Sequence, residues 1–321
     1  MTEMTYRTLG NSGLRVSSVG LGCNNFGRPG TVTEEQVGAA RAMHAALDHG
    51  ITFFDTADIY GYDYGRSEEM MGIALAGRRD EVVLATKFGH TDYESPIPHW
   101  GARGSRRYVR LAVEQSLTRL KTDWIDLYQL HTPDPLTPIE ETLAALDELI
   151  DEGKIRYIGH SNFAAWQLVE ADLIAQLRGY SRFISAQNEF NLLTREAEAE
   201  LLPVAEQYGV GFLPWFPLYN GLFTGKFTRD GGPADTRIMR QRPHLLENAP
   251  WDAMERYAAF CAERGIGMLE ATIGWMLTRP AMGSVIAGAT TVEQVAQNAA
   301  AASAWTPTAD DLALIDEFFP R

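Results

Sequence analysis

Cysteine is scarce: the 321 residues hold two, Cys23 and Cys261. They form neither a disulfide framework nor a metal-ligand spacing, so a reducing compartment, the cytoplasm, is expected. Basic residues are also few, with 28 Lys+Arg against 42 Asp+Glu and a formal net charge of -14. That sign argues against a nucleic-acid or anionic-membrane partner. No uninterrupted apolar run is long enough to span a bilayer. The first residues, MTEMTYRTLG, lack the apolar core of a signal peptide. No strand-like run is followed by GxGxxG, the turn that a dinucleotide-binding doubly wound sheet uses. There is no His-x-His and no cluster of His and Asp at strand ends, so no metal site is expected.

What is present is a regular alternation. Tyr6 to Val19 holds two Gly-marked turns between short β-prone pieces and reads as a hairpin capping one end of the fold. SSVGLGC, ITFFDTA, VVLATKF, WIDLYQLH, KIRYIGHSNF, FISAQNEF, VGFLPWFP and GSVIAGATT read as eight core strands. Between them lie helical patterns: from Thr33 to His49, Ser67 to Ala76, Ser105 to Leu120, Thr137-Pro138 to near Gly153, Ala164 to Leu177 and Thr194 to Tyr208. After a long loop from Leu218 to Pro250 come Trp251 to Arg264, Leu269 to Thr278 and Val292 to Ala302, and Thr308 to Phe318 is an appended helix. Eight such units without the glycine fingerprint predict an α/β fold, a closed (β/α)₈ TIM barrel with an N-terminal β-hairpin and an extra C-terminal helix. No linker or low-complexity segment interrupts it, so residues 1–321 are read as one domain.

Chemistry gathers where the strands end. Asp55 closes one apolar run and Tyr60 follows five residues later; Lys87 and His131 close the next two. In a parallel barrel those ends converge on the C-terminal face, where active sites are built. Taken singly, each residue is as readily a loop anchor or a solvated end. Four at consecutive strand ends are harder to explain that way. A free phenol has a pKa of about 10; a nearby ammonium is expected to lower it, and a carboxylate to fix the ammonium. An imidazole can donate to a carbonyl oxygen. Together they can polarise a carbonyl and protonate its oxyanion as a hydride arrives.

The stretches DTADIYG, ATKFG, LYQLHTPD, GKIRYIGHSNF, QNEFNLL, PWFPLYNGLFTGKF and GATTVEQVAQN resemble the aldo-keto reductase superfamily, in its order and over nearly the whole chain. The resemblance implies a (β/α)₈ barrel that binds an extended nicotinamide cofactor without a Rossmann domain. It implies Tyr60 as general acid, Lys87 and Asp55 as its tuners and His131 as substrate orienter. On the cofactor side it implies Gly22, Cys23 and Asn24 in the first loop, and Ser161, Asn162 and Gln187 at the nicotinamide carboxamide. Trp215 would stack on the ring. Phe216, Pro217, Leu218, Gly221 and Lys226 would form a pyrophosphate cover, with Arg237 as a further phosphate contact. Gly288, Thr290, Gln294, Gln297 and Asn298 would hold the adenosine part, where a helix opening also offers free N–H groups.

NADP is the cofactor implied, with NAD as the alternative. Many relatives carry Lys or Arg around positions 288 to 294, whereas GATTVEQ has no cation there. His160 replaces a more usual apolar residue and is expected to be buried and bonded to backbone. Asn24 and Asn25 replace an aromatic or Thr and suggest a substrate with hydroxyls. The substrate wall is expected to hold Asn25, Tyr60, Trp100, His131, Tyr219 and Asn220. Two functions fit: an enzyme reducing a small carbonyl compound, with a sugar or hydroxyaldehyde as the suggested type, or a nucleotide-sensing binding protein like the potassium-channel β subunits. The sequence leaves the oligomeric state open.

Overall fold

A computed structural model describes residues 4–321, so the first three residues of MTEMTYRTLG lie outside the described residues. Strands β1 (Tyr6–Thr8) and β2 (Arg15–Ser17) form the expected antiparallel hairpin, followed by β3 (Val19–Gly22), α1 (Gln36–Asp48), β4 (Phe53–Asp55), α2 (Arg66–Ala74) and β5 (Val83–Phe88). Next come α3 (Arg106–Leu120), β6 (Ile125–Leu130), α4 (Ile139–Asp151), β7 (Ile155–Ser161), α5 (Ala165–Arg178), β8 (Phe183–Glu189), α6 (Leu201–Tyr208) and β9 (Gly211–Trp215). The chain continues through α7 (Arg237–Gln241), α8 (His244–Glu247), α9 (Trp251–Glu263), α10 (Met268–Leu277), β10 (Val285–Gly288), α11 (Val292–Ala301) and the appended α12 (Ala309–Phe318).

Strands β3 to β10 make one eight-stranded parallel sheet, ordered β10, β3, then β4 to β9 in sequence. The ends meet at a short bridge: Phe212 N–H donates to Ala281 O at 2.7 Å and Gly283 N–H to Phe212 O at 2.9 Å. Pro214 lies two residues on, on the same side of β9 as Phe212. Its missing N–H falls where the ladder stops, the position a strand proline tolerates. This is the (β/α)₈ barrel read from the sequence.

Side chains alternate between the barrel interior and the helix layer. Phe53, Ala85, Leu127, Leu213 and Ile286 fill the interior, and Leu9 and Val16 of the hairpin join that cluster and plug one mouth. Two residues further along the same strands stand Asp55, Lys87, Gln129, Trp215 and Gly288. One step of about 6.6 Å along each strand thus turns an apolar floor into a polar site. Gly159 faces the same interior; a Cβ there would crowd Ser185 Oγ and lie 3.1 Å from Gln129 Cγ and 3.2 Å from Ser185 O, so the glycine leaves room for its neighbours.

Three expected elements differ. The helix expected from Thr194 is a 3-10 turn, Glu196–Glu198, followed by α6 from Leu201. Pro203 cannot continue a helix entered from Thr194, because it has no N–H for the preceding turn; in the first turn of α6 that donor is not needed. The helix expected from Thr33 starts at Gln36, after a 3-10 turn at Val32–Glu34 whose Val32 carbonyl sits against Gly38. The long loop from Leu218 to Pro250 contains a 3-10 stretch at Tyr219–Thr224 and the short helices α7 and α8. Thr236 caps α7 by accepting from Met239 N–H.

The appended helix is tied down by charge. Arg195, almost wholly buried, donates to Phe319 O at 2.6 Å and pairs with Glu198 at 2.6 Å and Asp316 at 2.8 Å, while Arg264 pairs with Asp311 at 2.6 Å. Removing Arg195 leaves Glu198 buried among fewer partners. Arg195→Ala is expected to lower the unfolding free energy by about 3 kcal/mol, measured by urea denaturation. A change below about 1 kcal/mol would mean that α12 docks without help from Arg195.

Candidate active site

Lys87 is fully buried at the inner end of β5, with 0% of its side chain exposed. An ammonium there needs three acceptors, and it has three: Asp55 Oδ2 at 2.6 Å, Thr56 O at 2.8 Å and the Tyr60 hydroxyl at 3.4 Å. Burial alone would lower its pKa, but Asp55 and Tyr60 outweigh burial and hold it above the ordinary lysine value. Asp55 Oδ1 accepts from Gln187 Nε2 at 2.9 Å and Gln129 Nε2 at 3.2 Å. Ser161 Oγ donates to Gln187 O at 2.7 Å and fixes that strand end in turn.

His131 packs edge-on to Tyr60, with ring centroids 5.9 Å apart. Its Nδ1 is sealed without a partner, leaving Nε2 as the ring nitrogen open to the pocket. Burial, then the charges of Lys87 and His90, push its pKa well below the usual histidine value, so the ring is neutral at pH 7. Tyr60 corrects one expectation. Lys87 does pull its phenol pKa down, but burial raises it more and Asp55 adds to the rise. The net shift is upward, so Tyr60 is a protonated phenol at neutral pH.

The aldo/keto reductase family model matches residues 18–319. The chain belongs to the aldo/keto reductase family. Among its relatives is an uncharacterized oxidoreductase, YrpG of Bacillus subtilis, 41% identical over 303 residues that cover 91% of this chain and 89% of that protein. A probable voltage-gated potassium channel subunit beta of rice is 35% identical, covering 92% and 90% of the two chains. The L-glyceraldehyde 3-phosphate reductase of Escherichia coli K12 is 32% identical, covering 98% and 92%.

Most of the positions that resemblance implied for a cofactor in this aldo/keto reductase lie in three groups. At the end of β7, Asn162 takes a left-handed backbone (φ 61°), donates to His131 O at 2.9 Å and accepts from Trp215 Nε1 at 3.2 Å, so Trp215 is held beside the cluster. Beyond Trp215, Phe216, Tyr219, Asn220 and Gly221 all have positive φ, a strained run of the kind that clusters at ligand sites. Pro217 and Leu218 are buried beneath it, and Lys226 Nζ would lie 3.5 Å from a Cβ at Gly221. The third group is the β10–α11 turn: Thr291 caps α11, and Gln294 Oε1 accepts from Thr290 N–H at 2.8 Å and Thr290 Oγ1 at 3.1 Å. Asn298 is buried on that helix and Gln297 is exposed.

In the first loop, Asn25 Nδ2 would lie 3.3 Å from a Cβ at Gly288, the residue that pairs with Gly22 on the adjacent strand. Asn24 Oδ1 is buried without a partner. Cys23 is fully buried and its thiol donates to Leu21 O at 3.5 Å, so only its backbone faces this loop's surroundings. Arg237 is half-buried on α7. Trp100 is not gathered with the rest: it is 82% exposed and Arg107 covers its ring. His160 is buried as expected but bonded to no backbone group; both ring nitrogens lack partners, and it packs between Phe163 and Phe183 in the helix-side core.

Sequence reasoning missed Gln129, two residues before His131 on the same strand; that same-face spacing was the available signal. It also missed the network under Tyr60. Ser67 N–H donates to Tyr60 O at 3.0 Å and Ser67 Oγ to Cys23 O at 2.9 Å. Asp58 accepts from Tyr64 OH at 2.5 Å, while Glu68 holds Thr86 and Arg119. Asp58 Oδ1 has no partner, and burial, with Glu68 nearby, raises the carboxyl pKa to about 7. The folded state therefore prefers the protonated form. Between pH 4 and 7 it binds the proton that the unfolded chain has lost, so this group's contribution to stability falls as pH rises through that window, by as much as ~4 kcal/mol. Urea titrations of the protein and of Asp58→Asn at several pH values are expected to show the variant gaining relative to the parent from pH 4 to 7. A constant difference would place the Asp58 carboxyl in its ordinary range.

Proposed function

We propose that the protein is an NADPH-dependent carbonyl reductase that converts aldehydes or ketones, of the sugar or hydroxyaldehyde type, to alcohols with Tyr60 as general acid. The observation that carries this reading is the single cluster of Lys87 with Asp55 and Tyr60, set beside a neutral His131. A nicotinamide cofactor, when bound, supplies the hydride. The residues suit such a group: Asn24 in the first loop and Asn220 in the strained run after Trp215 each bury a side-chain oxygen without a donor.

Asn162 and Gln187 would hold the carboxamide, Trp215 the ring face, Lys226 and Arg237 the phosphates. A substrate carbonyl oxygen placed against Tyr60 and His131 accepts two hydrogen bonds, one from the phenol and one from Nε2–H. Burial keeps the phenol protonated until it is needed. As the oxyanion forms, Tyr60 transfers its proton to it, and the Lys87 ammonium stabilises the phenolate left behind. Asp55 keeps that ammonium charged and in place, and Gln129 and Gln187 hold the carboxylate in position by donating to it. Asn25 and Tyr219 would wall the substrate. Two free, buried cysteines suit a reducing cytoplasm.

Tyr60→Phe keeps the ring and removes the proton. It is expected to lower kcat by at least ~100-fold with cofactor binding retained, followed as NADPH oxidation against small aldehydes, ketones and sugars. Near-normal turnover in the variant would remove Tyr60 from the role. Running NADH alongside asks whether the cation-free turn at Thr290 to Gln294 accepts a 2′-phosphate. The likeness to a probable channel β subunit supports a second reading, a nucleotide sensor; tight NADPH binding with negligible turnover of every carbonyl would favour it.

A further inference from the structure

Most arginines of this acidic protein are paired with carboxylates, but Arg28, Arg237 and Arg242, at the mouth of the barrel, are not. Arg28 lies in the loop after β3, and Arg237 and Arg242 lie on and just beyond α7. Among the described residues none of the three has a carboxylate within ion-pair distance. Arg28 Nε is sealed from solvent with no acceptor. The three charges act on one another, and Arg28 also acts on the Tyr60 phenol. Two contacts fix this arrangement. Tyr62 N–H donates to Gly27 O at 3.0 Å, joining the Arg28 loop to the Tyr60 loop, and Arg240 Nη1 donates to Gly30 O at 2.6 Å, joining it to α7. The Arg242 guanidinium lies over the Phe216 ring, 5.4 Å from its centroid, next to Trp215.

Three like charges held together with a sealed, unsatisfied N–H call for an anion. Arg237 lies with the cofactor-facing loop, whereas Arg28 approaches from the other side, by the loop that carries the proton donor. We propose that Arg28 and Arg242 bind an anionic group of the substrate itself, so the preferred substrates are carbonyl compounds bearing a carboxylate or phosphate. This rests on the reductase reading above and narrows its substrate class. Guanidinium forks match both oxyanions, and in a chain of net charge -14 they supply the local attraction that the overall field does not.

The test is a set of matched aldehydes: 4-carboxybenzaldehyde against its methyl ester, and glycolaldehyde phosphate against glycolaldehyde. With the unmodified protein and NADPH, kcat/KM is expected to favour the anionic member of at least one pair. In Arg28→Gln and Arg242→Gln the anionic-to-neutral ratio of kcat/KM should fall by ~10-fold, carried by KM, and Arg28→Lys should restore part of it. NADPH affinity, read by quenching of tryptophan fluorescence, separates the two sources of anion. A raised cofactor Kd in Arg28→Gln with an unchanged ratio would assign the arginines to the cofactor and overturn the proposal. Equal turnover of both members of each pair by the unmodified protein would overturn it as well, while leaving the reductase reading intact. No turnover of any aldehyde would instead sink the reductase reading.

Discussion

The buried pair of Lys87 and Asp55 is the constraint around which the site is built. An ammonium inside a barrel is tolerated only when every proton finds an acceptor and its charge is balanced. Here one carboxylate oxygen, one backbone carbonyl and one phenol take the three protons. Each acceptor belongs to the β4 segment or its loop, so the lysine fixes the path of the chain from Asp55 to Tyr60. The other carboxylate oxygen is held by two glutamines from β6 and β8. A polar layer spanning four strands therefore stands or falls as a unit.

That layer divides the titratable groups by role. Burial acts on all of them, but its sign depends on the charge type. It holds His131 neutral and Tyr60 protonated, two rings that pack edge-on to each other. It would also neutralise Lys87, and Asp55 prevents this. The outcome is one charged group, Lys87, in contact with a neutral phenol that packs against a neutral imidazole. Beneath it, Asp58, Tyr64 and Glu68 brace the loop that carries Tyr60, at the cost of a carboxyl held near neutrality.

The mouth of the barrel is assembled from loops with unusual backbones. Phe216, Tyr219 and Asn220 adopt left-handed conformations that non-glycine residues rarely take, and Asn162, just beyond β7, does the same. Such strain persists where the surroundings impose it: Asn162 is held by bonds to His131 and Trp215. The arginines of two loops meet above this region because Arg240 clamps α7 onto the β3–α1 loop.

Much of this was legible in the sequence. Strand alternation, helix starts such as Ser105 and Thr308, and the missing glycine fingerprint give the barrel, because periodicity and capping are local properties. Asp55, Tyr60, Lys87 and His131 could be gathered in advance because a parallel barrel brings every strand end to one face. Helix edges near Pro203 and Gly38 were misjudged, since an element's first turn depends on what packs against it. The isolation of Trp100 and the unbonded nitrogens of His160 were decided by loop placement and by the neighbours that fold against each ring. The direction of the Tyr60 shift was likewise beyond the sequence, which reveals a lysine nearby but not how much water burial removes. Gln129 bonded to Asp55 and Arg240 bonded to Gly30 O are contacts between distant strands and loops, and the lack of a second partner at Asp58 likewise depends on what packs around it. Sequence sets which groups are available; tertiary structure sets the distances, and electrostatic and hydrogen-bond energies depend on distance and on water.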